Sequence, residues 1–111
     1  MKRDEFARNL AAGTFDLIVM DVLHRAPNYG YGILKLILKR SKGSIRWYEG
    51  TLYPVLHRLE RRGLLVGKWN FPKRGHERRY YRLTTRGQHV WCQQRDQWRS
   101  FHHDVNRLLE L

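Results

Sequence analysis

Cysteine, acidic side chains and long apolar runs are all scarce in this chain. Its single cysteine, Cys92, excludes a disulfide within the chain and suits a reducing cytoplasm. The longest uninterrupted aliphatic run, Leu17 to Met20, is far too short to cross a bilayer, so no membrane partner is expected. The opening Met-Lys-Arg-Asp-Glu lacks the layout of a signal peptide. Catalytic signatures are missing as well: there is no carboxylate pair, phosphate loop or HExxH spacing, so an enzyme is not expected. His89 and Cys92 stand three apart on one helix face and could take a metal with a third ligand, whereas the neighbours His102 and His103 point apart. The expectation is no metal and no cofactor. What is present is enough apolar material, 41% of 111 residues, for the modest core of one domain.

The ten acidic residues are set against 22 basic ones, giving a net charge of +12, and the excess is segregated. Residues 1–34 hold four of each sign and residues 87–111 three of each. Residues 35–86 hold fifteen basic residues and only Glu49, Glu60 and Glu77 as acids. Solubility does not require such segregation; a polyanion bound at one surface does.

Within that basic stretch, the segment from Glu49 to Leu65 organises the chain. Leu52, Val55, Leu56 and Leu59 recur at i, i+3, i+4 and i+7, the period of one buried helix face. Tyr53, His57, Arg58, Arg61 and Arg62 lie off that stripe, and Gly63 supplies a stop. Taken alone this is an ordinary solvated amphipathic helix; its setting in the chain gives it a role. Pro54 is awkward inside it, which places the start of the regular part near Gly50 or Thr51.

Upstream, residues 3–11 read as a short helix carrying Phe6 and Leu10. A second helix, apolar on several sides, runs from about Phe15 to Arg25 after a Thr14 cap, and a third from Tyr31 to Arg40. Ile45 to Tyr48 reads as a small strand. Two helices joined by a tight turn, the second basic, describe a helix-turn-helix. Downstream, Leu65, Gly67, Trp69 and Phe71 alternate along one strand, and Arg79, Tyr81 and Leu83 along its return. The hairpin between them is a wing with Lys73, Arg74 and His76 in its turn. A last helix, about Thr85 to Glu110, would reach roughly 35–40 Å. Its apolar residues repeat by seven (Trp91, Trp98, Val105; Phe101, Leu108), with Leu109 alongside, a seam for a partner helix. The fold expected is therefore mainly α with a small β-hairpin wing: a winged helix-turn-helix over 1–84, with a C-terminal dimerisation helix over 85–111.

Three segments carry a resemblance: Asn28-Tyr29-Gly30-Tyr31-Gly32-Ile33; Glu49-Gly50-Thr51-Leu52-Tyr53-Pro54 with Arg58-Leu59-Glu60 and Gly63-Leu64; and Arg79-Tyr80-Tyr81-Arg82-Leu83-Thr84 with Gly87. In order and spacing the chain resembles the PadR family of bacterial winged-helix transcriptional regulators, over about residues 14–90. Its length resembles the short branch that includes the lactococcal multidrug-sensing repressor. The resemblance implies a homodimeric repressor whose two recognition helices read a palindromic operator on double-stranded DNA. It also implies a tryptophan on the last helix, here Trp98, that sandwiches flat aromatic ligands with its dimer mate. Tyr48 stands where the family often has a serine-like cap.

The residue-level expectations follow. Lys39, Arg46, Arg58, Arg61, Lys73, Arg74 and Arg78 are phosphate contacts, with His76 at the wing tip. Tyr48, Glu49, Thr51, Tyr53, His57 and Arg58 lie near backbone and base edges. Asp16, Leu17, Trp91, Arg95 and Trp98 line a ligand pocket; Asp16 favours cations and Arg95 anions, so the ligand's charge stays open. Phe6, Leu10, Trp98, Phe101, Val105, Leu108 and Leu109 form the dimer interface. The rival reading is an architectural nucleic-acid-binding protein with no operator and no ligand.

Overall fold

A computed structural model of the chain describes residues 14–111. The expected helix over 3–11, with Phe6 and Leu10, lies outside the described residues. Helix α1 spans Phe15–Arg25 and buries Val19, Met20, Val22 and Leu23. Strand β1 is only Asn28–Tyr29, and helix α2 follows directly over Gly30–Arg40, burying Ile33 and Ile37. Helix α3 spans Glu49–Arg61; strands β2 and β3 are Leu65–Asn70 and Arg78–Leu83; helix α4 spans Thr85–Leu108. The architecture is the expected one, mainly helical with a β wing.

The sheet corrects one expectation. Ile45 to Tyr48 is not a strand. It is an irregular connection, folded back on α2 by the Ile45 N–H bonded to Ser41 Oγ at 2.9 Å, after a turn in which Lys42 and Gly43 take positive φ. Its apolar side chains serve burial instead: Trp47 packs into the core with its ring 4.6 Å from that of Phe15. The third strand is β1, paired antiparallel with β3 through Asn28↔Tyr81 and Tyr29↔Tyr80, so the sheet order is β1-β3-β2.

Helix α3 buries the four residues its period selects, Leu52, Val55, Leu56 and Leu59. It starts at Glu49, with Pro54 inside, a little before the expected start. The Thr51 and Leu52 N–H groups both reach the Tyr48 carbonyl (3.0 and 3.1 Å), and exposed Pro54, having no N–H, makes no bond back to the Gly50 carbonyl. Its end is closed by Gly63 at φ +75°, which lets the Leu64 N–H return to the Leu59 carbonyl at 3.0 Å. In the hairpin, Leu65↔Leu83, Gly67↔Tyr81 and Trp69↔Arg79 share one face; that face is buried at the base and exposed towards the tip.

Helix α4 begins at a joint with the far end of α3. Thr84 Oγ1 accepts the Gly87 N–H at 3.0 Å and donates to the Gly63 carbonyl at 2.7 Å. Gly87 has no room for a side chain: a Cβ there would lie 2.1 Å from the Leu64 carbonyl oxygen. After this joint the helix crosses α1, burying Trp91, and then runs past the domain for the rest of its roughly 36 Å. Among the described residues no helix is long and apolar enough to cross a membrane.

Candidate nucleic-acid interface

The buried stripe of α3 leaves Tyr53, His57 and Arg61 on its outer side, all exposed. The Tyr53 ring lies 6.3 Å from His57 and rests against the start of α2, where Gly30 makes room: a Cβ there would be 2.7 Å from the Tyr53 Oη. Opposite stands the wing. Its base is tied to α3 by Glu60, whose carboxylate accepts the Gly67 N–H at 3.1 Å and an Arg79 Nη2 hydrogen at 2.6 Å. A Cβ on Gly67 would come within 2.3 Å of Arg79 Nε, so a side chain there would displace the guanidinium from this tie. Arg78 lies over the Tyr29 ring at 4.4 Å.

Recognition helix and wing thus enclose an open cleft of about 400 Å³. It brings together three expected residues, Tyr53, His57 and Arg78. It adds Tyr29, Tyr31 and Trp69, which the sequence reading did not assign to DNA; the exposed aromatic alternation of Trp69 with Phe71 was the available signal. Burial raises the Tyr81 phenol above its ordinary value near 10; Arg79 offsets this in part and Glu60 adds to it, so Tyr81 stays neutral at physiological pH.

The other expected contacts do not line the cleft. Lys73, Arg74 and His76 are exposed in the wing turn, where Gly75 takes φ +97°. Lys39 is exposed at the end of α2, Arg46 in the following connection, and Tyr48 and Glu49 at the start of α3, with Thr51 half-buried one turn in. Tyr48 is the N-cap residue, and its phenol makes no capping hydrogen bond. The Arg58 guanidinium turns to the α1 side and pairs with Asp16, which Arg62 also approaches at 3.6 Å. Arg58 therefore stands apart from the cleft.

Two further hollows lie where α4 leaves α1. One, of about 430 Å³, is lined by Asp16, Leu17, Arg58, Gln94, Gln97, Trp98 and Phe101. The other, about 390 Å³, is walled mainly by apolar side chains, among them Leu17, Ile18, Val22 and Ile37, with Asp21, Arg40 and Arg95 at its edge. Leu17 and Trp98 border both. Trp91 lines neither. It is 8% exposed, bonded through Nε1 to Asp21 at 3.1 Å, stacked on His24 at 3.6 Å between ring centroids and covered by Arg95 at 4.6 Å. Trp91 therefore fills its own domain, and the apolar seam of α4 starts at Trp98. From there Trp98 (43% exposed), Phe101, Leu108 and Leu109 present apolar surface to solvent, with Val105 half-buried among them. Among the described residues no three His, Cys, Asp or Glu side chains are grouped to hold a metal.

A helix-turn-helix followed by a basic hairpin, with a cleft between them, defines a winged-helix nucleic-acid-binding domain. The model of the transcriptional regulator PadR-like family matches residues 19–92, and the chain belongs to that family. A PadR family transcriptional regulator from Eggerthella lenta has a similar structure, with a TM-score of 0.83 and 34% identity, over 96% of this chain and 90% of that one. A transcriptional regulator from Clostridium thermocellum superposes with a TM-score of 0.82 at 27% identity, over 89% of this chain and 93% of that one. In sequence, a transcriptional regulator of Mycobacterium tuberculosis is 40% identical over 68 residues, 61% of this chain and 63% of that protein. The chain is thus a DNA-binding transcriptional regulator and not an enzyme.

Proposed function

We propose that the protein is a cytoplasmic homodimeric repressor that binds a palindromic operator and is released by a planar aromatic ligand held between the two α4 helices. The observation that carries this reading is the apolar strip of α4. Trp98, Phe101, Leu108 and Leu109 lie exposed on a helix that outruns its domain, beside two hollows that Trp98 walls. A second copy packing its own strip on this one would bury the aromatic surface. It would also close the hollows around paired Trp98 rings, a setting suited to a flat ligand. Asp16 and Arg58 at one hollow, and Arg95 at the other, supply the polar contacts. The recognition helix would take the major groove with Tyr53 and His57 facing base edges, and the exposed cations of α2, α3 and the wing would hold phosphates.

Selection of duplexes from a random pool at physiological salt tests it, because non-specific phosphate binding is suppressed there. Enrichment of an inverted repeat, and its release by a planar aromatic dye in wild type and not in Trp98→Ala held at concentrations high enough to keep that variant dimeric on the duplex, is the expected result. Retained duplexes without any shared motif would replace it with a charge-driven architectural binder.

A further inference from the structure

We propose that Phe71, backed by Trp69, is an apolar probe that the wing inserts into the DNA minor groove, and that it makes binding selective for base pairs lacking a 2-amino group there. The proposal rests on the DNA-binding role of the wing and extends it to an aromatic contact.

The inner face of the hairpin is buried at its base by Leu65, Tyr81 and Leu83. The same alternation continues outward into Trp69, 51% exposed, and Phe71, 66% exposed, whose rings stack with centroids 6.3 Å apart and planes 27° apart. A single exposed aromatic needs no explanation, but two stacked ones at the end of a projecting hairpin form a contiguous apolar patch. The hairpin segment that carries it, residues 66–78, is cationic, with Lys68, Lys73, Arg74 and Arg78 against Glu77 alone. The cations fit phosphates at the groove edges, and the aromatic pair fits the apolar deoxyribose walls and floor between them. Trp69 also lines the cleft that holds Tyr53 and His57, so the patch faces the duplex that the recognition helix reads. The Glu60 tie to Gly67 and Arg79 fixes the wing against that helix, which sets where Phe71 falls once α3 is seated. Lysines and arginines on the phosphates cannot tell one base pair from another. An aromatic ring on the groove floor can, because only G·C places an amino group there.

The test uses the full chain and the duplex recovered by selection. At the positions under the wing, A·T pairs are replaced by G·C and then by inosine·C, which restores the minor-groove surface of A·T without the 2-amino group. Wild type is expected to lose roughly tenfold in affinity with G·C and to regain it with inosine·C. Phe71→Ala is expected to bind all three duplexes alike, roughly tenfold more weakly than wild type binds the A·T duplex, the scale set by burying one phenyl ring. Its salt dependence should be unchanged, whereas Arg74→Ala should flatten the slope by about one phosphate contact. Phe71 is exposed, so its truncation leaves the domain folded, which circular dichroism checks. Equal discrimination by wild type and Phe71→Ala overturns the proposal while the DNA reading stands. Wild type that retains no duplex overturns both. Loss of binding to anionic phospholipid vesicles in Phe71→Ala, with operator binding intact, assigns the patch to a membrane surface and also overturns it.

Discussion

Truncating Trp98 to alanine should cripple the proposed dimer while leaving each domain folded. The Trp98 side chain is 43% exposed in the single chain. A tryptophan presents on the order of 200 Å², so about 90 Å² per chain is left for a partner to cover. In a two-fold interface the substitution occurs twice, removing about 180 Å² of contact, or up to ~4–5 kcal/mol at about 25 cal/mol per Å². Such area sums are upper bounds, so the expected loss is ~2–5 kcal/mol, a dimer weaker by about thirtyfold to several thousandfold. Sedimentation equilibrium over a dilution series measures it directly, and a urea melt checks the domain, whose anchor for α4 is Trp91. Operator binding should become steeper in protein concentration as dimerisation becomes limiting. A Trp98→Ala protein that dimerises over the same concentration range as wild type would refute the placement of the interface on this strip.

Trp91→Ala should instead lower domain stability by ~3–5 kcal/mol in urea unfolding, because it empties a buried site and removes the donor to Asp21. The folded-state pKa of Tyr81 lies above its unfolded value near 10, so the native state holds that proton more tightly. Stability should therefore be indifferent to this group below about pH 10 and fall as pH rises above it, a slope that Tyr81→Phe reduces, measurable by denaturant titration at a series of alkaline pH values. Arg61→Ala should weaken DNA binding more than Arg58→Ala, since Arg61 is exposed on the outer side of α3 while Arg58 is committed to Asp16; side-by-side titrations of one duplex, with their salt slopes, decide it.

The parts of the fold legible in the sequence are those with a local period. Leu52, Val55, Leu56 and Leu59 repeat at helical spacing over two turns, and the helix found there buries those four residues. The wing strands alternate over six residues each, long enough for the pattern to show. Strand β1 has two residues and no pattern of its own; only its pairing with β3, more than fifty positions away, makes it a strand. The stretch 45–48 reads as a small strand, yet the sheet does not include it, and burial of Trp47 accounts for its apolar side chains without a ladder. Site residues divide in the same way. Tyr53 and His57 follow from the face of α3 they occupy. The turn of Arg58 towards Asp16 depends on a carboxylate 42 positions away, and the filling role of Trp91 depends on Asp21, His24 and Arg95 meeting around it. A heptad count places Trp91 on the seam because it registers spacing along one helix and is blind to the domain lying against that helix.

The joint at Thr84 and Gly87 has a mechanical consequence. It welds the first turn of α4 to Gly63 and Leu64, at the very end of the reading helix, with no side chain between to act as a cushion. In the proposed dimer α4 is then a stiff lever of roughly 36 Å, and a tilt of about ten degrees at one end swings the other by about 6 Å. A small wedge between the paired helices would be delivered to the DNA side as a change in the distance between two reading heads. That distance has to match one turn of the duplex, about 34 Å, for both to engage. In the proposed dimer, the thickness of a flat guest would thereby become a misfit of span.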